Sequence, residues 1–343
     1  MRLHVTKLQA GDTLRQHVFA PNGLHIMAPG TLVTDVHINL LLRHQIEYVE
    51  ILDARPNAAT AGQLPEPAFQ AQYDKAVGQM KSMFDQAFQY GFVAPETIDQ
   101  TYDPLVESMQ LETDVVGLLL TLNSKDDYTY EHCIQVGMLS FYIAKWLGHT
   151  DEEAYDIGKA GFLHDIGKSK IHRTILLKPG RLTPEEYEEI KRHTEYGYEI
   201  IMNSLNDRTA AYAALQHHER ANGKGYPFGI TYDWVQPASK IVAVADIYSA
   251  MISSRVYREK QDLFVVLKEM HDLSFGELDP TITQTFIRRM IPNFIGKKAE
   301  LSDGRIGEIV MNHSTDFFSP LINVGGEFID LAKSTLEIRH TIG

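Results

Sequence analysis

The stretch that decides the fold is Gly161-Phe162-Leu163-His164-Asp165-Ile166-Gly167-Lys168, in which an apolar run leads directly into a histidine and an aspartate. Apolar residues recur with helical spacing on both sides of it, and nearly every segment from residue 68 to residue 291 shares that period. Charged side chains on buried helix faces are costly unless they are paired or bind a metal. The His-Asp pair therefore indicates a helical core that carries a polar site.

The composition is that of a globular protein, and it excludes several classes of function. The chain has 343 residues, 44% of them hydrophobic and 22% charged, which is enough for roughly two domains. Its net charge of −13 argues against a nucleic-acid polymer as partner, because such binding needs an extended basic surface. A single cysteine, Cys133, excludes an intramolecular disulfide and a cysteine-rich zinc module. The 15 histidines leave imidazole and carboxylate as the available metal ligands.

Membrane and export signals are weak in this sequence. The most apolar run, residues 115–122, is far shorter than the about 20 residues that a membrane-spanning helix needs, so we expect no membrane insertion. Residues 1–12 lack the apolar stretch of a secretory signal. Together with the single cysteine, this makes a cytoplasmic protein the default expectation.

A small α+β module is predicted over residues 1–52. Thr34-Asp35 caps an amphipathic run that continues to Leu42, and residues 46–51 predict a closing strand. Residues 53–67 are rich in Ala, Pro and Gly and predict a linker. The module has no acidic cluster on a βα pattern of the receiver-domain kind, so we expect no phosphorelay input.

Helices dominate residues 68–291, and a β-rich segment is predicted over residues 292–343. The predicted helical runs are 68–91, 95–123, 130–147, 151–163, 183–204, 208–218, 236–253, 261–272 and 280–291. The predicted strands are 299–301, 306–310, 321–324 and 328–331, the first two joined by a hairpin turn at Ser302-Asp303-Gly304. We therefore predict a mainly α fold, a helical bundle with a small β-containing module at each end.

Seven His and Asp side chains of the helical region stand where apolar residues are expected. They are His132, His164, Asp165, His193, His217, His218 and Asp246. Such groups offset the cost of their burial only by converging, and two divalent ions would let them do so. Nitrogen and oxygen donors without thiolate suit Fe, Mn, Ni or Zn. Two ions about 3.5–4 Å apart are a standard device for phosphodiester cleavage, since one generates hydroxide and both stabilise the attacking and leaving oxygens.

Several of these residues also have simpler interpretations. A lone buried histidine is more often a satisfied core residue than a ligand, and only the joint appearance of seven groups favours metal. Cys133 neighbours His132 on a helix, so we expect it to face elsewhere and to pack in the core. Glu219 would either orient a ligating histidine or merely cap or face water. The loop bracketed by Gly223, Gly225 and Pro227 would bring Tyr226 near a substrate or partner, or be a plain surface turn.

The chain resembles the HD-GYP subgroup of HD-domain phosphohydrolases from about residue 114 to residue 289. The matching segments are Tyr128–His132, Leu163–Lys168, Lys178–Thr183, Lys191–His193, His217–Pro227 and Val244–Tyr248. A His-Asp pair alone is a weak signal, whereas the stretch from His217 to Pro227 with the later Asp246 is highly specific. Residues 1–51 also resemble the small domain that often precedes this catalytic domain in bacterial proteins.

The resemblance implies a phosphodiesterase that hydrolyses cyclic di-GMP, a bacterial second messenger, to pGpG and further to GMP, through a hydroxide activated by two metals. It implies one metal held by His132, His164, Asp165 and Asp246. It implies a second metal held by Asp165, His193, His217 and His218, with Asp165 bridging. Iron or manganese is the expected metal, with nickel or zinc as alternatives.

The resemblance also implies substrate contacts and partners. Asp165 and Lys168 match the catalytic positions, with Lys168 on a phosphate. Arg255 and Arg258 match basic substrate contacts, although ion pairs with local acids would be the simpler interpretation, and Tyr226 is a further candidate contact. The loop around Tyr226 is a candidate surface for a GGDEF-type or other signalling protein, and a homodimer is a further expectation.

Some positions depart from the pattern of the subgroup. Tyr128 stands where some members have a Glu that adds a third metal, so we expect two metals. Asn222 and Ser249 each replace an Asp, and Val256 replaces a Pro, but none of these changes removes a predicted ligand. Two alternative functions stay open: hydrolysis of another nucleotide such as cyclic GMP-AMP, and a binding or scaffold module that signals through protein contacts.

Overall fold

The N-terminal residues form a small α+β unit with its own apolar core. The computed structural model describes residues 2–5, 8, 11–19, 25–44, 46, 48–52, 67–111, 128–252, 262–313 and 316–342. The elements of the unit are β1 (Arg2–His4) paired with β4 (Tyr48–Glu50), β2 (Val18–Phe19) paired with β3 (His25–Met27), and α1 (Asp35–Arg43). The predicted helix and closing strand are both confirmed. Of the predicted linker, residues 53–66 lie outside the described residues.

Helices build the centre of the molecule, which confirms the prediction of a mainly α fold. They are α2 (Pro67–Tyr90), α3 (Pro95–Leu111), α4 (Tyr128–Leu147), α5 (Asp151–Leu163), α6 (Arg173–Leu176), α7 (Pro184–Lys191), α8 (His193–Leu205), α9 (Arg208–Gln216), α10 (Pro237–Ile252), α11 (Leu263–Leu273) and α12 (Pro280–Met290). Short 3₁₀ helices follow α5 at Ile166–Lys170 and α12 at Ile291–Phe294. In the described part of the chain, none of the helices combines the length and apolarity needed to span a bilayer.

At two places, both of them at site residues, the helices differ from the predicted runs. The predicted run 183–204 is two helices, α7 and α8, because the chain bends at Arg192, whose N–H donates to carbonyls of α7. The new helix starts at His193, so that its ring lies inside the molecule. The predicted run 208–218 ends at Gln216, and His217 is the capping residue rather than a helical one.

Glycines allow close contact between the elements that carry the site. Helices α4 and α5 pack against each other so closely that a Cβ on Gly161 would lie 2.8 Å from the Val136 carbonyl oxygen. A Cβ on Gly167 would collide with the His193 carbonyl oxygen, so the 3₁₀ turn after α5 lies directly against the start of α8. These contacts bring the chain around His164 next to His193.

The C-terminal residues form a five-stranded antiparallel sheet of order β8-β7-β6-β5-β9. The strands are β5 (Lys298–Leu301), β6 (Ile306–Met311), β7 (Leu321–Val324), β8 (Glu327–Asp330) and β9 (Ile338–Ile342). The β5–β6 hairpin is confirmed, whereas the sequence analysis missed β9. Ala299 and Ile322 join the core of the helices, while Met311 and Leu321 pack with the N-terminal core. The sheet therefore contacts both other parts of the chain.

Candidate metal centre

The structure brings all seven predicted ligands together. Four of them lie where a helix begins or ends: His164 caps α5, Asp165 follows it, His193 starts α8 and His217 caps α9. His132 lies one turn after the start of α4, and Asp246 lies in the middle of α10. All are buried except His218, which is partly exposed. Helix ends are suited to this purpose because carbonyls there are not used by the helix.

A first cluster of possible ligand atoms is formed by His132, His164 and Asp246, whose atoms lie within 4.8 Å of one another. His132 Nε2 lies 3.0 Å from Asp246 Oδ1, and His164 Nε2 lies 3.9 Å from the same oxygen. Asp165 Oδ2 faces this cluster, 3.3 Å from His164 Nε2 and 3.8 Å from His132 Nε2.

A second cluster is formed by His193, His217 and His218, again within 4.8 Å of one another. Here the facing atom is Asp165 Oδ1, which lies 3.3 Å from His193 Nε2 and 3.9 Å from His217 Nε2. The two oxygens of Asp165 thus point to different clusters. A carboxylate in this position can bind an ion with each oxygen, which is the arrangement of a bridging ligand.

Backbone carbonyls fix the tautomer of three imidazoles. His164 Nδ1 lies 2.7 Å from the Gly161 oxygen, His193 Nδ1 lies 2.7 Å from the Ile190 oxygen, and His217 Nδ1 lies 2.9 Å from the Ala214 oxygen. A carbonyl oxygen only accepts, so each Nδ1 carries the proton and donates it. In the neutral ring the proton is therefore absent from Nε2, which turns a lone pair toward the centre.

These lone pairs face each other and face carboxylates, an arrangement that a cation would resolve. His193 Nε2 lies 3.4 Å from His217 Nε2, with no proton between them in the tautomers that the carbonyls impose. Among the described residues, the buried His164 Nε2 and Asp165 Oδ1 have no hydrogen-bond partner. Buried acceptors without a donor are costly. The donor set of nitrogen and oxygen fits divalent iron, manganese, nickel or zinc.

The charges at the centre favour the metal-binding protonation states of His193, His217 and Asp165, whereas His164 is shifted the other way. Burial lowers the pKa of His193 to about 4, and burial with the neighbouring His164 lowers the pKa of His217 well below its usual range. Burial opposes ionisation of Asp165, but His164 and Lys168 hold its pKa well below the ordinary value. At His164 burial is outweighed by the adjacent Asp165, which raises its pKa. Positive charge is therefore favoured where the carboxylates meet.

Two further predicted residues lie at the centre. The Lys168 ammonium donates to Asp165 Oδ2. Tyr226 stacks on His218 with ring centroids 4.5 Å apart and an angle of 29° between the planes. The Tyr226 N–H also donates to the His218 carbonyl oxygen at 3.2 Å. Because His218 is the partly exposed member of the predicted ligand set, Tyr226 lies at the side of the centre that is open to water.

Glu219 has a role that differs from both predicted ones. It is fully buried, and its two carboxylate oxygens accept the N–H groups of Phe228 and Ile230 at 2.8 and 3.0 Å. It therefore neither orients a ligating histidine nor faces water. Instead its carboxylate binds the backbone at the end of the loop that carries Tyr226. Because Glu219 directly follows His218, this holds the loop next to that predicted ligand. The sequence could not show this because the donors are backbone N–H groups, which every residue except proline carries.

Cys133 lies closer to the centre than predicted. It is buried, but its sulfur is within 4.8 Å of ligand atoms of His164 and Asp165, so the expectation that it faces elsewhere is wrong. Although His132 and Cys133 are adjacent on α4 and point in different directions, groups of the centre lie near both side chains. Burial raises the pKa of the Cys133 thiol well above its usual value, with nearby Asp165 acting in the same direction.

Some predicted residues lie outside the part of the chain that the structure describes. Arg255 and Arg258 belong to residues 253–261, which the structure does not describe, as does Val256. The side chain of Tyr128 is likewise not described. The sequence analysis missed Gln135, which lies one helical turn after His132 on α4 and bonds to Ser249. The spacing of three residues was the available signal, since it places both side chains on one face.

Comparison with known proteins agrees with this geometry. The HD domain family matches residues 118–282, which contain all seven ligand candidates. Relatives of this chain are named cyclic di-GMP phosphodiesterases or, for three proteins of Vibrio cholerae, 3'3'-cGAMP-specific phosphodiesterases. Residues 118–282 of this chain are an HD domain of the HD-GYP kind. The predicted family membership is confirmed.

Two relatives of this chain illustrate the match. The cyclic di-GMP phosphodiesterase PA4108 of Pseudomonas aeruginosa is 28% identical over 251 residues, which cover 73% of this chain and 60% of PA4108. A cyclic di-GMP phosphodiesterase of Thermotoga maritima is 36% identical over 211 residues, covering 61% of this chain and 56% of the relative. The chain thus spans less than two thirds of each relative.

A solved structure shares the fold of this chain. Bd1817, an HDG"Y"P protein from Bdellovibrio bacteriovorus, superposes with a TM-score of 0.54 at 17% sequence identity. The match covers 83% of this chain and 97% of Bd1817. At this identity the likeness concerns the arrangement of the helices and not the chemistry.

Proposed function

We propose that this chain hydrolyses cyclic di-GMP to pGpG, and onward to GMP, at a centre of two divalent metal ions. The observation that carries the proposal is the placement of Asp165, whose two oxygens face the Nε2 atoms of separate imidazole clusters, in which His164 and His193 each donate from Nδ1 to a carbonyl. The names of PA4108 and of the Thermotoga maritima relative support cyclic di-GMP as the substrate.

The ligands of the two ions follow from the two clusters. The proposed first set is His132, His164, Asp165 and Asp246, and the second is Asp165, His193, His217 and His218. When bound, a pair of divalent ions supplies Lewis acidity to the phosphodiester and lowers the pKa of water. Iron or manganese is the proposed metal, and nickel and zinc are the alternatives that the same donor set would accept.

The remaining side chains of the site bind and orient the substrate in this proposal. Lys168 sits beside Asp165 with a positive charge, so it can contact a phosphate oxygen next to the reacting centre. The ring of Tyr226 lies on His218 at the open side, where it can contact a nucleoside. Arg255 and Arg258 are proposed as further phosphate contacts, from the family pattern alone.

Partner and location are also proposals. The loop held by Glu219 exposes Phe228, and Trp234 follows nearby with 75% of its surface exposed. These apolar side chains support a contact with a GGDEF-type or other signalling protein, or with a second copy of this chain in a homodimer. A cytoplasmic location fits a second-messenger substrate.

Turnover of cyclic di-GMP tests the proposed function. The purified chain is loaded with Mn²⁺, or with Fe²⁺ under anaerobic conditions, and products are separated by chromatography beside total metal analysis. We expect pGpG from the wild type and loss of both metal and product in Asp165→Ala, with the exposed Asp233→Ala as matched control. Equal turnover by wild type and Asp165→Ala would show that the site is misassigned.

The same assay separates the alternatives. Faster hydrolysis of cyclic GMP-AMP than of cyclic di-GMP would replace the proposed substrate while leaving the centre in place. A metal-loaded chain that turns over no cyclic dinucleotide would instead favour the binding module.

A further inference from the structure

We propose that Ser249 and Gln135 are positioning residues that set the proton of His132 and thereby its fitness as a metal ligand. The inference rests on the proposed metal centre and does not depend on the substrate. It also gives a role to Ser249, which departs from the family pattern.

The three side chains form a continuous buried chain of hydrogen bonds. His132 Nδ1 lies 2.9 Å from Ser249 Oγ, and Ser249 Oγ lies 3.0 Å from Gln135 Oε1. Ser249 is 0% exposed, His132 3% and Gln135 6%, so water does not compete for these bonds. On the other side of the ring, His132 Nε2 faces Asp246 at 3.0 Å.

The direction of the protons follows from the acceptor at the end of the chain. Gln135 Oε1 is an amide oxygen and can only accept, so the Ser249 hydroxyl donates its proton to it. A hydroxyl oxygen that donates its proton still has lone pairs with which to accept, and His132 Nδ1 donates to that of Ser249. In the neutral imidazole this leaves Nε2 unprotonated and turned toward Asp246, which is the tautomer a metal requires.

His132 needs this help because of its place in the fold. His164, His193 and His217 lie at helix ends, where carbonyls such as that of Gly161 are available to accept from Nδ1. His132 lies in the interior of α4, where the carbonyls are used by the helix itself. A side chain from the neighbouring α10 supplies the acceptor instead.

A neutral serine supports the ligand less strongly than a carboxylate would. An anionic acceptor makes the imidazole a more basic ligand, whereas a hydroxyl mainly orients it. The metal affinity of the first cluster should therefore fall when the Ser249 hydroxyl is removed and rise when a carboxylate replaces it.

Titration of the full chain with Mn²⁺, followed through the electron paramagnetic resonance signal of the free ion, tests this role. We expect two ions to bind to the wild type and one of them to bind about 10- to 100-fold more weakly to Ser249→Ala. Ser249→Asp should restore or exceed the wild-type affinity. Gln135→Leu should weaken the same ion, because the freed hydroxyl can then donate to His132 Nδ1 and favour the wrong tautomer.

Ser239→Ala is the matched control. Ser239 is also fully buried on α10 and also donates to a glutamine, Gln216, at 3.2 Å, but not to a proposed ligand. Its loss should lower the thermal midpoint of the metal-free chain as Ser249→Ala does, and leave Mn²⁺ affinity unchanged.

The outcomes are distinct. Wild-type affinity for both ions in Ser249→Ala overturns this inference and leaves the metal centre intact. An equal loss of affinity in Ser239→Ala also overturns it, since any buried hydroxyl would then matter. A wild-type chain that binds no Mn²⁺ overturns the centre and the inference together.

Discussion

The candidate metal centre and the His17–His25 pair both hold imidazole rings against each other, but the charge around them differs. In the pair, His17 Nδ1 lies 2.8 Å from His25 Nε2, so one ring donates its proton to the other and the contact needs no cation. Burial, together with the cation Arg289, lowers the pKa of His17 to about 4. At the centre, Asp165 and Asp246 face the rings instead.

Facing histidines alone therefore do not make a metal site. At the centre, backbone carbonyls hold the protons of His164, His193 and His217 on Nδ1, so that lone pairs meet lone pairs and carboxylates. In the pair, a proton already lies between the rings and the nearby charge repels a cation. The sign of the local field and the fixed tautomer decide the difference.

The largest difference between the centre and the pair should appear when one imidazole is removed from each. His217→Ala takes a nitrogen from the second cluster, and we expect loss of one bound ion and a fall in cyclic di-GMP turnover on the order of 10³-fold, or about 4 kcal/mol. His25→Ala should keep both ions and the turnover. Metal analysis and product chromatography measure both. Equal metal loss in the two variants would mean that the charge difference is irrelevant.

Lys168 tests the role of the positive charge beside the carboxylates. Lys168→Met keeps the length of the side chain but removes the cation, so we expect both ions to stay bound while kcat/KM falls roughly 10² -fold, or about 3 kcal/mol. Steady-state kinetics with cyclic di-GMP measure this. The matched variant Lys170→Met, in which a lysine that bonds to the Phe88 carbonyl is replaced, should behave like the wild type.

Retention of full kcat/KM by Lys168→Met would remove this residue from the substrate contacts. Loss of metal in the same variant would instead assign it a role in holding Asp165.

Glu219 tests how far the loop positions Tyr226. Glu219→Gln retains an oxygen for only one of the two N–H groups, Phe228 or Ile230, and leaves a buried amide near the other. The cost of such a lost bond is about 1–3 kcal/mol of unfolding free energy. We expect lower stability in urea and a higher KM, with both ions still bound. An unchanged KM would separate the loop from substrate binding.

Through the His17–His25 pair, acid should lower the unfolding free energy by a small amount. The pKa values of both rings are lowered from 6.5 to about 4, chiefly by burial. Between these values the unfolded chain binds more protons than the folded one, so the pair's contribution makes the unfolding free energy fall as pH drops from 6.5 toward 4 and leaves it constant above. In His25→Gln, the difference in urea midpoint between pH 7.5 and pH 5 should be smaller than in the wild type.

The exposed His172→Gln serves as the control for that measurement, because His172 lies outside the pair and its ring is bonded only locally, to Thr174. A difference in midpoint that is the same in the wild type and in His25→Gln would show that the pair does not carry this pH dependence.

The sequence by itself determined the class of fold and the chemistry of the candidate site. Helical periodicity gave the mainly α core, and the turn at Ser302-Asp303-Gly304 gave the β5–β6 hairpin, because both signals are local. The identity of the seven polar groups was readable because His and Asp are costly in an apolar helix. The turn at Arg192 and strand β9 were missed, since a bend and an edge strand depend on contacts distant in sequence.

Only the tertiary structure decided how those groups work together. It placed the two oxygens of Asp165 between the clusters, attached Glu219 to backbone amides, and joined Gln135 to His132 through Ser249. Each of these contacts depends on the direction in which a particular oxygen, ring nitrogen or amide points. A sequence names the donors and acceptors, but the packing of helices determines which of them meet, and the tautomers follow from that.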